Sequence, residues 1–251
     1  MSLHIGSPIL KVPLIILNAL LYEKSLSPST PPPSKSELDK FDADVNTRDG
    51  VPGFGGWLLR MRLIFCHTIS ACEVLIILAN SLSDSSFLRF GSRLLPDSIG
   101  HPISITPIFL VGSIFIIIGT VIRVWCFSTL GRHFTLRLSI LNDHKLITSG
   151  PYAIVRHPSY SSWFVVQTGT ILTHVGRGSW LGGLMFVDST YHQSGTFGRA
   201  LGCFYILWQL HSIYVIISRI SREDKVLRNV FKEEWDNWAS VTKYRLIPGV
   251  Y

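Results

Sequence analysis

Two short polar segments hold the residues whose types and spacing best suit chemistry. The first runs His144-Lys145-Leu146-Ile147-Thr148-Ser149-Gly150-Pro151-Tyr152 and is followed by Arg156-His157-Pro158-Ser159-Tyr160. Gly150-Pro151 marks a turn. Pro158 disfavours helical geometry at His157 and suits the opening of a helix. The segment therefore reads as a structured loop that ends at a helix N-terminus, where exposed backbone N–H groups favour anionic ligand groups. Tyr152, His157 and Tyr160 add aromatic surface with polar tips. On the residues alone, a basic loop anchored by interfacial tyrosines accounts for the pattern equally well.

The second segment is Arg219-Ile220-Ser221-Arg222-Glu223-Asp224-Lys225-Val226-Leu227, followed by Phe231, Trp235 and Trp238. Arg219 and Glu223 are four residues apart and share a helix face. The planar fork of a guanidinium matches a carboxylate. A surface ion pair, contributing about 0.3–0.5 kcal/mol, is the plainer explanation. Spacing by itself favours that explanation, and it makes Trp235 and Trp238 an interfacial belt rather than a ligand cage.

Long apolar stretches must position these segments. Of the 251 residues, 47% are hydrophobic and 16% charged, and the mean hydropathy is +0.34. Soluble domains carry nearer a quarter charged residues. The net charge of +7 would suit nucleic acid or an anionic membrane surface. The apolar stretches select the membrane, and no basic stripe interleaved with aromatics supports nucleic-acid binding.

Ile5–Leu21, Leu63–Leu82, Ile105–Leu130, Tyr160–Val175 and Leu201–Ile217 are the candidate spans, judged against the roughly 20 apolar residues a span needs. The first is expected to be retained, since no small-x-small cleavage pattern follows it. Lys and Arg concentrate in Gly131–Pro158 and in the tail after Ser218, which places both on the cytosolic side. The expectation is an all-α polytopic membrane protein with about five transmembrane helices, or a sixth if Trp180–Val187 joins a hairpin. Its divisions are 1–56, a first span with a Pro/Ser-rich cytosolic linker; 57–130, spans two and three; and 131–251, the region with the last two spans and the tail.

Cys66, Cys72, Cys126 and Cys203 lie in apolar stretches without CxxC or Cys/His spacing, so they read as small buried residues and no metal site is expected. Glu73 falls inside the second span. An intramembrane carboxylate is a functional candidate by default, but here protonation or pairing with a polar group of another span is the expectation. His67 and His174 read as interfacial or packing residues.

The stretch His144 to Tyr160 resembles the core of the isoprenylcysteine carboxyl methyltransferase family, whose pattern is roughly H-x-L-(V/I)-T-x-G-x-Y-x-x-x-R-H-P-x-Y. Arg219-x-x-x-Glu223-Asp224-x-x-Leu227-x-x-x-Phe231, ending near Tyr244-Arg245-Leu246-Ile247-Pro248, resembles its C-terminal signature. The likeness covers the chain from Gly131 onward, and the proline-rich linker resembles fungal members.

This resemblance implies S-adenosyl-L-methionine as cofactor, in a cytosolic pocket formed by the loop before the fourth span and the C-terminal helix. It implies that His144, Lys145, Leu146, Ile147, Tyr152, His157, Pro158, Ser159 and Tyr160 line that pocket. Glu223 would contact the cofactor, Arg219 would bind the substrate carboxylate, and both would be catalytic. The implied reaction is methyl esterification of the C-terminal carboxylate of farnesyl- or geranylgeranyl-cysteine in CaaX-type proteins or peptides, at the endoplasmic reticulum membrane.

Three positions depart from the family pattern: Ser162 and Lys232 stand where glycine is usual, and Asp224 stands where a second glutamate is common. The ending Tyr244 to Tyr251 also resembles NADPH-dependent sterol reductases. The same motifs are compatible with a methyltransferase acting on a phospholipid or another small acceptor, and the departures at Ser162 and Lys232 leave room for a non-enzymatic membrane scaffold.

Overall fold

The computed structural model describes residues 7–28, 57–81, 102–134, 143–186 and 192–251. Among these, every regular element is helical, as the all-α expectation requires. A 3-10 turn, Pro8–Leu10, leads into α1 (Lys11–Leu26), followed by α2 (Trp57–Ser81) and α3 (Pro107–Leu130). Two more 3-10 turns, Gly131–His133 and Gly150–Ala153, precede α4 (Pro158–Val175) and the short α5 (Trp180–Met185). The chain ends in α6 (His192–Phe231) and α7 (Glu233–Val241).

Prolines open α3 and α4, where the missing N–H has no helical partner to lose. The Thr106 hydroxyl accepts from the Phe109 N–H at 3.3 Å, and Ser179 Oγ accepts from the Gly182 N–H at 3.1 Å to cap α5.

Among the described residues, three helical stretches are long and apolar enough to cross a membrane: Trp57–Ser81, Pro107–His133 and Thr196–Phe231. They correspond to the second, third and last of the spans expected from sequence. Of the other two, α1 has 16 residues, and α4 has 18 that include Gln167, Thr168, Thr170 and Thr173. The piece expected at Trp180–Val187 forms the six-residue α5, about 9 Å of helix. The linker at 29–56 and most of the Ser83–Ser104 loop lie outside the described residues.

The chain divides into two compact units. The first comprises Met1–Glu23, Leu63–Ile117 and Val165–His211. In it α3 and α4 cross in backbone contact: a Cβ built on Gly169 would lie 2.5 Å from the Gly112 carbonyl oxygen, and one on Gly112 2.8 Å from that of Gly169. Small residues permit such an approach between membrane helices.

Buried polar ties reinforce this unit. Lys11 Nζ lies 2.5 Å from Glu73 Oε1 and donates to the Gly178 carbonyl at 2.8 Å, while Glu73 Oε2 accepts from the Trp180 N–H at 3.2 Å. Glu73 is thus paired across helices, one of its two expected states. His174 packs between Ser70 Oγ (3.2 Å) and the Tyr205 hydroxyl (2.8 Å), and His67 meets Glu23 at 3.4 Å.

The second unit comprises Lys24–Arg62, Ile118–Phe164 and Ser212–Tyr251. Its core gathers Cys126, Tyr152, Trp235 and Trp238, with Leu146, Leu227 and Phe231 packed against them. The tryptophans are therefore core residues, not the interfacial belt that spacing suggested. The physical reason is the break after Phe231. Lys232 has φ 47°, the one positive φ at a non-glycine among the described residues. That turn ends α6 and lets α7 direct both indoles inward. It also explains why glycine is usual at this position: a Cβ is strained there and hydrogen is not.

Two stability predictions result. Lys232→Gly should stabilise the protein by about 0.5–1 kcal/mol, read as a raised melting temperature in detergent; a lower one would refute the strain. Lys11→Met alone should destabilise by about 3–5 kcal/mol because Glu73 is left buried and unpaired. The double variant Lys11→Met/Glu73→Met should recover most of that loss, and a double variant no better than the single would count against the pairing.

Candidate functional site

The second unit encloses a cavity whose walls come from four places. The end of α3 and the turn after it supply Arg123, Leu130, His133 and Phe134. The following loop supplies His144, Lys145, Leu146, Ile147, Tyr152, Arg156 and His157. The start of α4 supplies Ser159 and Tyr160. Ile216, Arg219, Glu223, Val226 and Leu227 of α6, with Trp238 of α7, complete the lining. Ten of the eleven residues singled out from sequence line this one cavity. The exception, Pro158, is the first residue of α4.

Local structure explains the placement. Gly150 has φ 60° and starts the 3-10 turn that buries Tyr152. The Trp238 indole N–H donates to the Tyr152 carbonyl at 3.2 Å. The tail then braces the loop: the N–H groups of Arg156 and His157 donate to the carbonyls of Tyr244 and Arg245 at 2.9 and 2.8 Å, and Ser161 Oγ donates to the Leu246 carbonyl at 2.6 Å. The Tyr244–Pro248 ending therefore forms part of the scaffold that shapes the loop.

His157 sits at the centre. Its ring stacks on Tyr160, with centroids 5.5 Å apart and planes 10° from parallel. Nε2 lies 2.9 Å from Asp224 Oδ1, and Nδ1 lies 3.7 Å from Glu223 Oε1. The Tyr160 hydroxyl donates to Glu223 Oε2. Asp224 also takes Arg245 Nε at 3.0 Å and Arg156 Nη1 at 3.4 Å. Burial works against a charge on His157. The hydrogen bonds and charges of Asp224 and Glu223 outweigh it and lift the imidazole to about 9.

His144 goes the other way. Burial, helped by His133, lowers it to about 4 against the pull of Glu223, so it is neutral at pH 7. Burial pushes the Tyr152 phenol well above its ordinary value and keeps it un-ionised. Arg219 is buried and lines the cavity beside Glu223, so the exposed ion pair that spacing favoured is not what forms.

Two important residues were not singled out from sequence. Asp224 registered only as a departure from a glutamate, yet it joins α6 to the loop and tail through three basic partners. Arg123 lies within an apolar helix, and its one signal was a lone cation inside a candidate span. The departure at Ser162 is harmless to the cavity: its buried hydroxyl donates to the Ser159 carbonyl at 2.9 Å and it does not line the pocket.

Residues 111–180 match the isoprenylcysteine carboxyl methyltransferase (ICMT) family. Over 62 residues the chain is 45% identical to a probable protein-S-isoprenylcysteine O-methyltransferase of Oryza sativa subsp. indica, which covers 24% of this chain and 32% of that protein. Protein-S-isoprenylcysteine O-methyltransferase B of Arabidopsis thaliana is 43% identical over 61 residues, 24% of this chain and 31% of its own. The Homo sapiens protein-S-isoprenylcysteine O-methyltransferase is 35% identical over 68 residues, 26% and 24% of the two chains. The aligned segment thus spans about a third or less of the curated relatives it matches. No solved structure gives a significant match. The matched segment contains the α3 end, the loop and the α4 start that build most of the cavity, and over that segment the chain is similar to the isoprenylcysteine carboxyl methyltransferase family.

Proposed function

We propose that this protein methylates the C-terminal carboxylate of a prenylated cysteine in CaaX-type proteins or peptides, with S-adenosyl-L-methionine as donor. The observation that carries this reading is the meeting of the His144–Tyr160 loop with Arg219 and Glu223 around one cavity. The names of the relatives supply the acceptor.

The cavity's chemistry fits the donor. Glu223 is a carboxylate suited to an amine, and Tyr152, His157 and Tyr160 offer aromatic faces. The Nδ1 atoms of His144 and His133 are buried without a hydrogen-bond partner among the described residues, and both side chains line the cavity. Such orphaned polar atoms suit a heterocycle that brings its own donors and acceptors. His144, Lys145, Leu146, Ile147, Tyr152, His157, Ser159, Tyr160 and Glu223 would hold the cofactor, with Pro158 fixing where α4 begins. When bound, S-adenosylmethionine supplies a methyl group activated on a sulfonium.

The acceptor α-carboxyl has an ordinary pKa of about 3.3–3.7. It is ionised at neutral pH, and no residue need remove a proton. Arg219 would orient that anion by its planar fork. Holding acceptor and methyl group in line is worth up to about 7–11 kcal/mol. The prenyl tail stays in the bilayer, where each buried CH₂ contributes about 0.8 kcal/mol. The basic character of the loop and tail supports a cytosolic position for the cavity, and the family likeness suggests the endoplasmic reticulum.

Membranes containing this protein should transfer labelled methyl from S-adenosylmethionine to N-acetyl-S-farnesylcysteine. Absence of incorporation, together with stabilisation of the purified protein by NADPH, would instead favour a sterol reductase. Arg219→Ala should abolish transfer while S-adenosylhomocysteine binding survives, and normal turnover would remove Arg219 from the mechanism. Glu223→Ala should weaken S-adenosylhomocysteine binding; an unchanged Kd would contradict its role.

His157 predicts a pH dependence with a defined sign. Its folded-state pKa is raised from 6.5 to about 9, so the folded protein holds the proton more tightly. The stabilisation is complete below about 6.5 and is lost as pH rises through about 9. The melting temperature should fall across that alkaline window in the wild type and less in His157→Gln. Identical profiles for the two proteins would refute the raised His157 imidazole.

A further inference from the structure

Arg123 is 4% exposed and projects from the last third of α3. Its Nε donates to the Ser25 carbonyl, and Nη1 donates to the carbonyl and Oγ of Ser159 at 2.7 and 2.8 Å. The guanidinium lies 5.1 Å from the Phe127 ring centre and 5.3 Å from that of Trp163. Among the described residues no carboxylate pairs with it. Every hydrogen bond it makes there goes to a neutral oxygen, and Nη2 makes none.

A buried charge without a counter-charge is costly, and such groups are ordinarily paired. Arg123 nonetheless lines the cavity, together with Arg219, Arg156 and Lys145. Against these four side chains and the His157 imidazolium the lining offers one carboxylate, Glu223. Arg156 is already engaged by Asp224 at 3.4 Å. Among the described residues the cavity lining therefore carries more positive than negative side chains, a charge balance that suits an anionic ligand.

Resting on the proposed methyl transfer, we propose that Arg123 is a second carboxylate-receiving guanidinium of the cavity, acting alongside Arg219. Its bonds to Ser25 and Ser159 fix the plane of the fork before any ligand arrives, so little rotamer freedom is lost on binding. Two ligands can supply the carboxylate: the prenylcysteine acceptor and the methionyl end of the cofactor.

The test uses the full-length protein in detergent, as wild type, Arg123→Gln and Arg123→Lys. The probes come in two pairs: S-adenosylhomocysteine with its decarboxylated analogue, and N-acetyl-S-farnesylcysteine with its carboxamide. In the wild type, one carboxylate ligand or both should bind at least about tenfold more tightly than the partner lacking the charge. Arg123→Gln should erase most of that preference. Arg123→Lys should lower it several-fold, because an ammonium does not reproduce the fork. The pair that responds identifies which carboxylate Arg123 receives, and a KM rise without loss of kcat would accompany an effect on the acceptor.

Should Arg123→Gln fail to fold, Arg123→Lys carries the same comparison. An unchanged carboxylate preference in the folded variants, with only the melting temperature lowered, overturns the assignment and leaves Arg123 as a tie between Ser25 and α4. A wild type that binds neither pair removes the functional reading and this inference together.

Discussion

The cavity is organised by a buried imidazolium held between two carboxylates of one helix. His157 reaches Asp224 at 2.9 Å and Glu223 at 3.7 Å. Adjacent residues of an α-helix point about 100° apart, so a single ring can engage both only where the loop wraps onto that helix. The same two carboxylates then distribute their remaining lone pairs. Glu223 takes the Tyr160 hydroxyl, and Asp224 takes Arg245 and Arg156. Loop, α4, α6 and tail are fixed to one another through this cluster. Buried networks of this kind are stabilising only when nearly every member is satisfied.

The sequence and the structure agree best where chemistry and periodicity coincide. Pro158 announced the start of α4, and the arginine and glutamate four apart announced a shared face on α6. Both hold, and their residues converge on one cavity. The long apolar runs around Leu63–Leu82, Ile105–Leu130 and Leu201–Ile217 became helices capable of spanning. The runs in α1 and α4 were recognisable as helices, but α1 is short and α4 is rich in glutamine and threonine.

What could not be read were contacts set by tertiary packing. Nothing local in Trp235 or Trp238 distinguishes an interfacial ring from a core ring; the turn at Lys232 decides it. Nothing local in Arg123 reveals Ser159 as its partner 36 residues away. Asp224 offered only its residue type, while its three basic partners come from segments distant in sequence. The partner of Glu73 was similarly hidden, because Lys11 lies 62 residues earlier, at the start of α1.

The brace from the tail to the loop has a consequence for biosynthesis. The amides of Arg156 and His157 are satisfied by carbonyls almost ninety residues further along the chain. At translation rates of roughly 5–20 residues per second, the loop exists for several seconds before its partner segment has been made. The wall of the cavity formed by this loop can therefore be braced only after the Tyr244–Arg245 segment has been made. Until then the amides of Arg156 and His157 lack the carbonyls that satisfy them in the folded protein.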